Sequence, residues 1–285
     1  MKMTKTATRP GKGGPRIAPV VVLFIGCLVT QSAHAQLELL PDPAPQRVFS
    51  GDARRFPLLW RNRGQKTAEI DLHARLHQTS SATAAPLSDG PLKKLQVLAG
   101  QTIIDSAVFG FPAVKAKTSF LVQWADQTNK VVGTTVVLVY PPDLLKELKA
   151  LAGGEPLGIF DPAKQIKPLL QVLAIKFSDL EEDGVANYSG KLAIMGPFTT
   201  KEQMPEDLRP RIKAAAEKGA ALVWLQPPRA EESRLLPSYY SVSQGKGTVI
   251  IAEARLVMNL KDDPQAQMNL LHLCRQAVHP EPLRL

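Results

Sequence analysis

Cysteine is almost missing. The 285 residues contain Cys27 and Cys274 alone, and Cys27 sits in an apolar leader, so an exported chain has no internal disulfide and must fold on buried apolar area. Cys274 falls in the helical run Leu270-Leu271-His272-Leu273-Cys274, where a buried, inert thiol is the natural state. Catalytic signatures are equally scarce. No Gly-x-Ser-x-Gly occurs, which excludes a serine nucleophile elbow. Gly245-Lys246-Gly247 lacks the Lys-Ser/Thr pair and the following helix of a phosphate loop and reads as a tight turn. Gly153-Gly154 precedes a strand instead of following one, against the order a dinucleotide fingerprint needs. Trp60, Trp124, Trp224, Phe120 and Phe160 lie in apolar strand runs and read as core, not as a sugar platform.

Positive charge is present, but it is concentrated. Lys2, Lys5, Arg9, Lys12 and Arg16 precede residue 36 with no acid among them; without them 30 basic residues face 26 acidic ones, an ordinary solubility charge. Nucleic-acid binding is not expected. The five cations lead into the apolar run Val20 to Val29 and then Ser32-Ala33-His34-Ala35, the three parts of a secretory signal peptide cut after Ala35. The run is too short to span a bilayer. Phe24-Ile25-Gly26-Cys27 loosely resembles a lipobox, but the apolar run continues past Cys27. Periplasmic or secreted residence is the expectation, with no transmembrane span in the mature chain.

From Arg47 to Tyr140 the pattern is that of strands. Ala68, Ile70, Leu72, Ala74 and Leu76 alternate with Glu69, Asp71, His73, Arg75 and His77, a strand with one wet face. Arg55–Trp60, Lys94–Leu98, Thr102–Phe109, Ser119–Trp124 and Val131–Tyr140 are further strands, separated by turn signals at Asn62-Arg63-Gly64, Ser88-Asp89-Gly90, Ala99-Gly100 and Gln127-Thr128-Asn129. Short strands at this spacing without helices predict an all-β, immunoglobulin-like sandwich. His73 and His77 stand four apart on a strand, roughly 13 Å, so one metal ion cannot bridge them.

The grammar changes near residue 142. Asp143 reads as the cap of a short helix to Leu151. Leu157–Phe160 is a strand, and Asp161-Pro162 reads as a cap with proline at the first helical position, opening a helix to about Val172. A strand near Ile175–Leu180, an acidic loop at Glu181-Glu182-Asp183, a strand Leu192–Met195, a helix from Pro205 and a strand Ala221–Leu225 follow. A Pro- and Ser-rich crossing, Pro227 to Gly247, leads to the strand Thr248–Ala252, and Asp263-Pro264 opens a last helix. Continuous apolar strands joined by helices predict an α/β three-layer domain with a mostly parallel sheet, in the flavodoxin-like order 2-1-3-4-5.

The segment Arg211-Ile212-Lys213-Ala214-Ala215-Ala216-Glu217-Lys218-Gly219-Ala220-Ala221-Leu222-Val223-Trp224-Leu225 resembles the helix–glycine–strand of class I glutamine-amidotransferase-like domains, with Ala220 replacing the second glycine. Gly245-Lys246-Gly247-Thr248-Val249-Ile250-Ile251, then Asp263-Pro264 and Asn269-Leu270-Leu271, resembles the later part of the same domains. The resemblance covers about residues 142 to 280. It implies a glycine-flanked cysteine on a strand-to-helix turn, with histidine and an acid around it. The loops Gly196-Pro197-Phe198-Thr199 and Gln226-Pro227-Pro228-Arg229 contain no cysteine, so the resemblance implies a non-catalytic relative.

The expected organisation is a signal peptide over 1–35, the sandwich over 36–142 and the α/β domain over 143–285. Asp161, Thr199, Thr200, Lys201, Gln226 and Arg229 all leave the carboxyl ends of strands near the switch point and form the candidate ligand site for a small polar or anionic molecule. Tyr239-Tyr240 is a candidate for surface recognition. No catalytic residue, metal or cofactor is assigned. The function expected is an exported, non-catalytic binding or adaptor protein with a protein or glycan partner at the cell envelope. The alternative is a carboxylate-based hydrolase or transferase using acids such as Asp161 and Glu202, which requires paired acids about 5 to 10 Å apart. A third option, a structural subunit, predicts an unpaired edge or an apolar patch on the sandwich.

Overall fold

The computed structural model describes residues 37–42, 44–51, 53–80, 82–228 and 239–280. The signal-peptide reading, with Cys27, and the candidate Arg229 lie outside them. Eight strands come first: β1 (Leu37–Leu39), β2 (Gln46–Phe49), β3 (Ala53–Asn62), β4 (Ala68–Thr79), β5 (Ala84–Val97), β6 (Thr102–Gly110), β7 (Thr118–Ala125) and β8 (Val131–Tyr140). They form a three-stranded sheet, β1-β3-β6, and a five-stranded sheet, β2-β8-β7-β4-β5. All pairings are antiparallel except β2 with β8, which is parallel. Alternation along each strand sends one row inward: Phe56, Leu58 and Trp60 from β3 meet Leu72, Ala74 and Leu76 from β4 and Phe120, Val122 and Trp124 from β7 in one apolar core. Trp60, Phe120 and Trp124 are fully buried, and the Trp124 indole donates to Thr135 Oγ1 at 2.9 Å.

One turn signal in this region is overridden. Ser88-Asp89-Gly90 lies inside β5, which pairs with β4 along its whole length. The turn-forming residues are absorbed by register shifts after Leu72 and Leu76, irregularities that let a long edge strand bend without ending.

The later part contains α1 (Glu147–Leu151), β9 (Leu157–Phe160), α2 (Lys167–Val172), β10 (Phe177–Asp179), α3 (Leu180–Asp183), β11 (Leu192–Met195), α4 (Leu208–Glu217), β12 (Ala221–Gln226), β13 (Tyr239–Gln244), β14 (Gly247–Glu253) and α5 (Pro264–Val278). The sheet order is β10-β9-β11-β12-β14-β13. Its first five strands are parallel and, numbered along the chain, run 2-1-3-4-5. β9 and β11 are buried at every position because each face of the sheet has its own core. Leu192 and Ile194 pack toward α5 with Leu270 and Cys274; Ala193 and Met195 pack toward α4 with Leu208 and Ile212.

Several local readings are corrected. The crossing before the last strand contains β13, antiparallel to β14; its alternation of Tyr, Val, Ser and Gln has little apolar weight because the strand is an exposed edge. Gly245-Lys246 is the turn of that hairpin, and a Cβ at Gly247 would stand 2.2 Å from Ala220 O, so only glycine lets the hairpin reach the end of α4. Asp143 makes no side-chain cap; its carboxylate pairs with Lys146 at 3.0 Å, and a 3₁₀ turn precedes α1. Glu181-Glu182-Asp183 is the helix α3, capped by Asp179. α4 begins at Leu208, after a turn started by Pro205. Asp263 does cap α5, accepting from Gln265 N–H at 2.8 Å. Cys274 is fully buried on α5, and burial pushes its thiol pKa upward.

Candidate functional site

An open parallel sheet presents its ligand crevice at the carboxyl ends of its strands, where the order reverses. Here that place lies between β9 and β11, and the turn after β11 is hydrogen-bonded to the strand ends on both sides. Gly196 N–H donates to Phe160 O at 2.7 Å and Phe198 N–H to Leu225 O at 3.0 Å, so the Gly196-Pro197-Phe198 turn ties the ends of β9 and β12 together. Gly196 has φ +96°, and a Cβ there would meet Leu225 O at 2.7 Å. The close approach therefore requires glycine. Phe198 is fully buried, its ring 6.0 Å from that of Phe160.

Among the described candidate ligand residues, Asp161, Thr199 and Thr200 are engaged in local caps and turns. Asp161 is fully buried. Its Oδ1 accepts from Gln165 N–H at 3.0 Å, and its Oδ2 from Ile166 N–H at 2.6 Å and Lys167 N–H at 2.9 Å. It therefore caps α2 from six residues upstream. Pro162 does not open the helix; Pro168 occupies its first turn. Thr199 donates its N–H and hydroxyl to Gln203 Oε1 at 2.7 and 3.1 Å, and Thr200 forms a capping box with Gln203 over the 3₁₀ turn Lys201–Gln203. Gln203 is the side chain those threonines serve. Lys201 is exposed, and Gln226 is half-buried at the last position of β12, opposite Glu253.

Residue-by-residue reading missed the cluster beside Asp161. Lys167 Nζ lies 2.6 Å from both Asp179 Oδ2 and Glu181 Oε1, and Asp161 N–H donates to Glu181 Oε1 at 2.9 Å. Burial raises the Asp179 carboxyl, but the Lys167 hydrogen bond and the Glu181 N–H outweigh it, and the net pKa is below the ordinary value. Burial lowers the Lys167 ammonium, but the two carboxylates more than compensate, and its net pKa is raised. Both groups are thus held in their charged forms. Glu202 is also held low, by its own backbone N–H and by the Thr200 hydroxyl. A general acid needs the opposite shift. The spacing of Lys167 from Asp179 and Glu181, 12 and 14 residues, carries no helical or strand period, so nothing in the pattern announced the cluster.

Hollows of about 450, 430 and 340 Å³ lie elsewhere, and none of the three is lined by Asp161, Thr199, Thr200, Lys201 or Gln226. The first borders Tyr188, whose hydroxyl accepts from Gly158 N–H at 3.1 Å and has Leu192 O at 2.7 Å and Pro156 O at 3.1 Å as acceptors. Among the described residues no three His, Cys, Asp or Glu side chains gather as a metal site, and no helix is long and apolar enough to cross a membrane.

No family model and no curated protein matches the chain. Among solved structures it is similar to the alkylpurine DNA glycosylase AlkC of Pseudomonas fluorescens, at 10% identity over 38% of this chain and 31% of that one, with a TM-score of 0.30. It is similar to the sporulation control protein Spo0M of Bacillus subtilis, at 11% identity over 41% of this chain and 56% of that one, TM-score 0.28. A Niemann-Pick type C2 protein from Japanese carpenter ant matches at 9% identity over 39% of this chain and 96% of that one, TM-score 0.28. The chain spans less than two thirds of the length of the first two. Likenesses of this size carry no argument about what the chain binds or does.

Proposed function

We propose that the chain is an exported, non-catalytic binding or adaptor protein of the cell envelope, with a protein or glycan partner. In this reading an immunoglobulin-like sandwich over 36–142 carries a degenerate class I glutamine-amidotransferase-like, flavodoxin-like domain over 143–285, and residues 1–35 are removed on export. The parallel β2–β8 pair beside antiparallel sheets and the 2-1-3-4-5 strand order support the two fold assignments. The observation that carries the functional reading is the turn from Gly196 to Phe198, which is hydrogen-bonded to the ends of β9 and β12 and buried at Phe198, at the edge where such a sheet would work.

The alternative, a carboxylate-based hydrolase or transferase, draws support from Asp179 and Glu181, which share one lysine at 2.6 Å each. With that lysine between them and Asp179 held ionised, neither is poised to donate a proton. The test has two arms. Mass spectrometry of the envelope or secreted fraction should find a chain starting at Gln36. A panel of chromogenic esters, amides and glycosides should show no turnover that Glu181→Gln or Glu202→Gln abolishes. Turnover lost in either variant overturns the reading, as does an uncleaved cytoplasmic chain.

A further inference from the structure

Among the described residues the three sheets end in the edge strands β1, β6, β2, β5, β10 and β13, and all but the last carry a guard against pairing with another chain. β1 and β10 have three residues each and include Glu38 and Asp179; β2 has four and includes Arg47. β6 holds Asp105 against Lys93. β5 carries Pro86, Pro91, Lys93 and Lys94, and its ladder with β4 is interrupted by register shifts. β13 has none of these devices. Tyr239-Tyr240-Ser241-Val242-Ser243-Gln244 contains no charge, proline or glycine, and the whole strand pairs with β14 without a shift. Tyr239, Tyr240 and Val242 are 36%, 41% and 39% exposed, and among the described residues no strand lies on the outer side of β13.

The pattern of the strand selects its occupant. A foreign strand added to a sheet edge is held by backbone bonds and chosen by pockets for its alternate side chains. None of the three hollows described above is lined by a β13 residue, so they offer a foreign strand no such pocket. A bilayer needs apolar side chains gathered on one face. Here Tyr239 stands opposite Ala252, which belongs to the core on the α5 side, and Tyr240 opposite Ile251, which packs on the α4 side. The two rings therefore leave opposite faces of the sheet, and the Tyr239 hydroxyl lies 3.1 Å from His272 Nε2 on α5. A second copy, in contrast, brings a strand of equal length without charge, and no like-charge pair opposes it.

We infer that β13 is a dimer edge, which pairs antiparallel with β13 of a second copy of this chain about a two-fold axis through Ser241, normal to the sheet. Rotation about that axis keeps α4 and α5 on their own sides, so residues that stand opposite each other share a face. Ser241 then meets Ser241 of the second copy. Tyr240 meets Val242 on the α4 side, once from each copy, an aromatic–β-branched pair of the kind that stabilises a ladder; Tyr239 meets Ser243 on the α5 side. Two six-stranded sheets become one. Assembly stops there, because the outer edges are then both β10, three residues long and bearing Asp179, and an interface made of the same patch from each copy is closed. The dimer goes beyond the proposed binding role and does not depend on it.

The test is sedimentation equilibrium of the chain as the cell processes it, over about 1 to 300 μM, which covers micromolar and weaker dissociation constants. A monomer–dimer equilibrium is expected. Ser241 is exposed, so Ser241→Lys and Ser241→Asp should each keep the parent's unfolding midpoint. Each should weaken self-association at least about tenfold, because like charges then stand directly opposite. Mixed in equal amounts the two variants should restore the dimer, since lysine meets aspartate across the axis. A synthetic peptide of the β13 sequence should dissociate the parent dimer, whereas an alternating Thr-Lys peptide of the same length should not. A parent that stays monomeric throughout overturns the inference. So does a dimer indifferent to both substitutions, or a mixture that associates no more tightly than either variant alone. Equal competition by the Thr-Lys peptide overturns it by showing that the edge takes any strand, and co-sedimentation with phosphatidylcholine vesicles that Ser241→Lys abolishes overturns it in favour of lipid. Each of these leaves the non-catalytic reading standing, since that reading falls only to turnover or to failed export.

Discussion

Replacing Asp161 with alanine separates a structural acid from a working one. The carboxylate is fully buried and accepts three backbone N–H groups at 2.6 to 3.0 Å. A hydrogen bond to a charged group contributes about 1.5–3 kcal/mol. The Gln165 and Lys167 donors are partly exposed and regain water in the variant, whereas the Ile166 N–H lies against the buried Oδ2 and loses its only acceptor. The loss is therefore one bond in full plus a fraction of two others, about 3–4 kcal/mol, a large share of the 5–15 kcal/mol of a typical domain. Asp161→Asn keeps one acceptor oxygen and should lose about half as much. Urea unfolding at neutral pH, followed by both circular dichroism and tryptophan fluorescence, measures the difference at unchanged slope. An acid held ready for substrate behaves in the opposite way, because its removal relieves an unsatisfied charge. If Asp161→Ala is within about 0.5 kcal/mol of the parent, or more stable, the reasoning about this edge is wrong.

Three further outcomes follow from the geometry. Asp179 is held below its ordinary pKa, so its stabilising contribution is present above about pH 4 and is lost as pH falls through the folded value; Lys167 is held above its own, so its contribution is complete below about pH 10.4 and is lost as pH rises through the folded value. In Lys167→Met, carboxyl NMR titration should show the Asp179 midpoint moving up; an unmoved midpoint means that the pair is not formed in solution. Tyr188→Phe removes the hydroxyl that joins Gly158, Leu192 and Pro156 and should cost about 1–2 kcal/mol in thermal unfolding, and no change in midpoint would count against the junction. Gly247→Ala drives a methyl into Ala220 O and Ala216 O and should cost about 1–3 kcal/mol, whereas Gly100→Ala, which has open space but a φ of +71°, should cost only the backbone strain; equal losses would show that the hairpin does not reach α4.

The fold was legible where one periodicity ruled a segment. Ala68 to Leu76 alternate, and that row enters the core shared by the first two sheets; Leu192–Met195 and Ala221–Leu225 are apolar throughout, and the sheet is covered on both faces. Reading failed where tertiary context outweighs local chemistry. Ser88-Asp89-Gly90 has the residues of a turn, but pairing with β4 holds it in a strand. Tyr239–Gln244 is polar because it is an edge, and only its partner β14 makes it a strand. Asp161 was identifiable as a cap, but its distance from the helix was not, since a loop of five residues separates them. The contacts at the strand ends beside the candidate residues, Gly196 to Phe160 and Phe198 to Leu225, join residues 36 and 27 positions apart and leave no periodic trace.

The closed edge is tested most directly by native-state hydrogen exchange at the amides of Gly196 and Phe198. Both donate to strand-end carbonyls, at 2.7 and 3.0 Å, and the account predicts that they exchange only through global unfolding, as slowly as the amides of β11 and β12. Exchange at loop rates, through a local opening that leaves those strands protected, would show a crevice able to admit a ligand and would contradict the account.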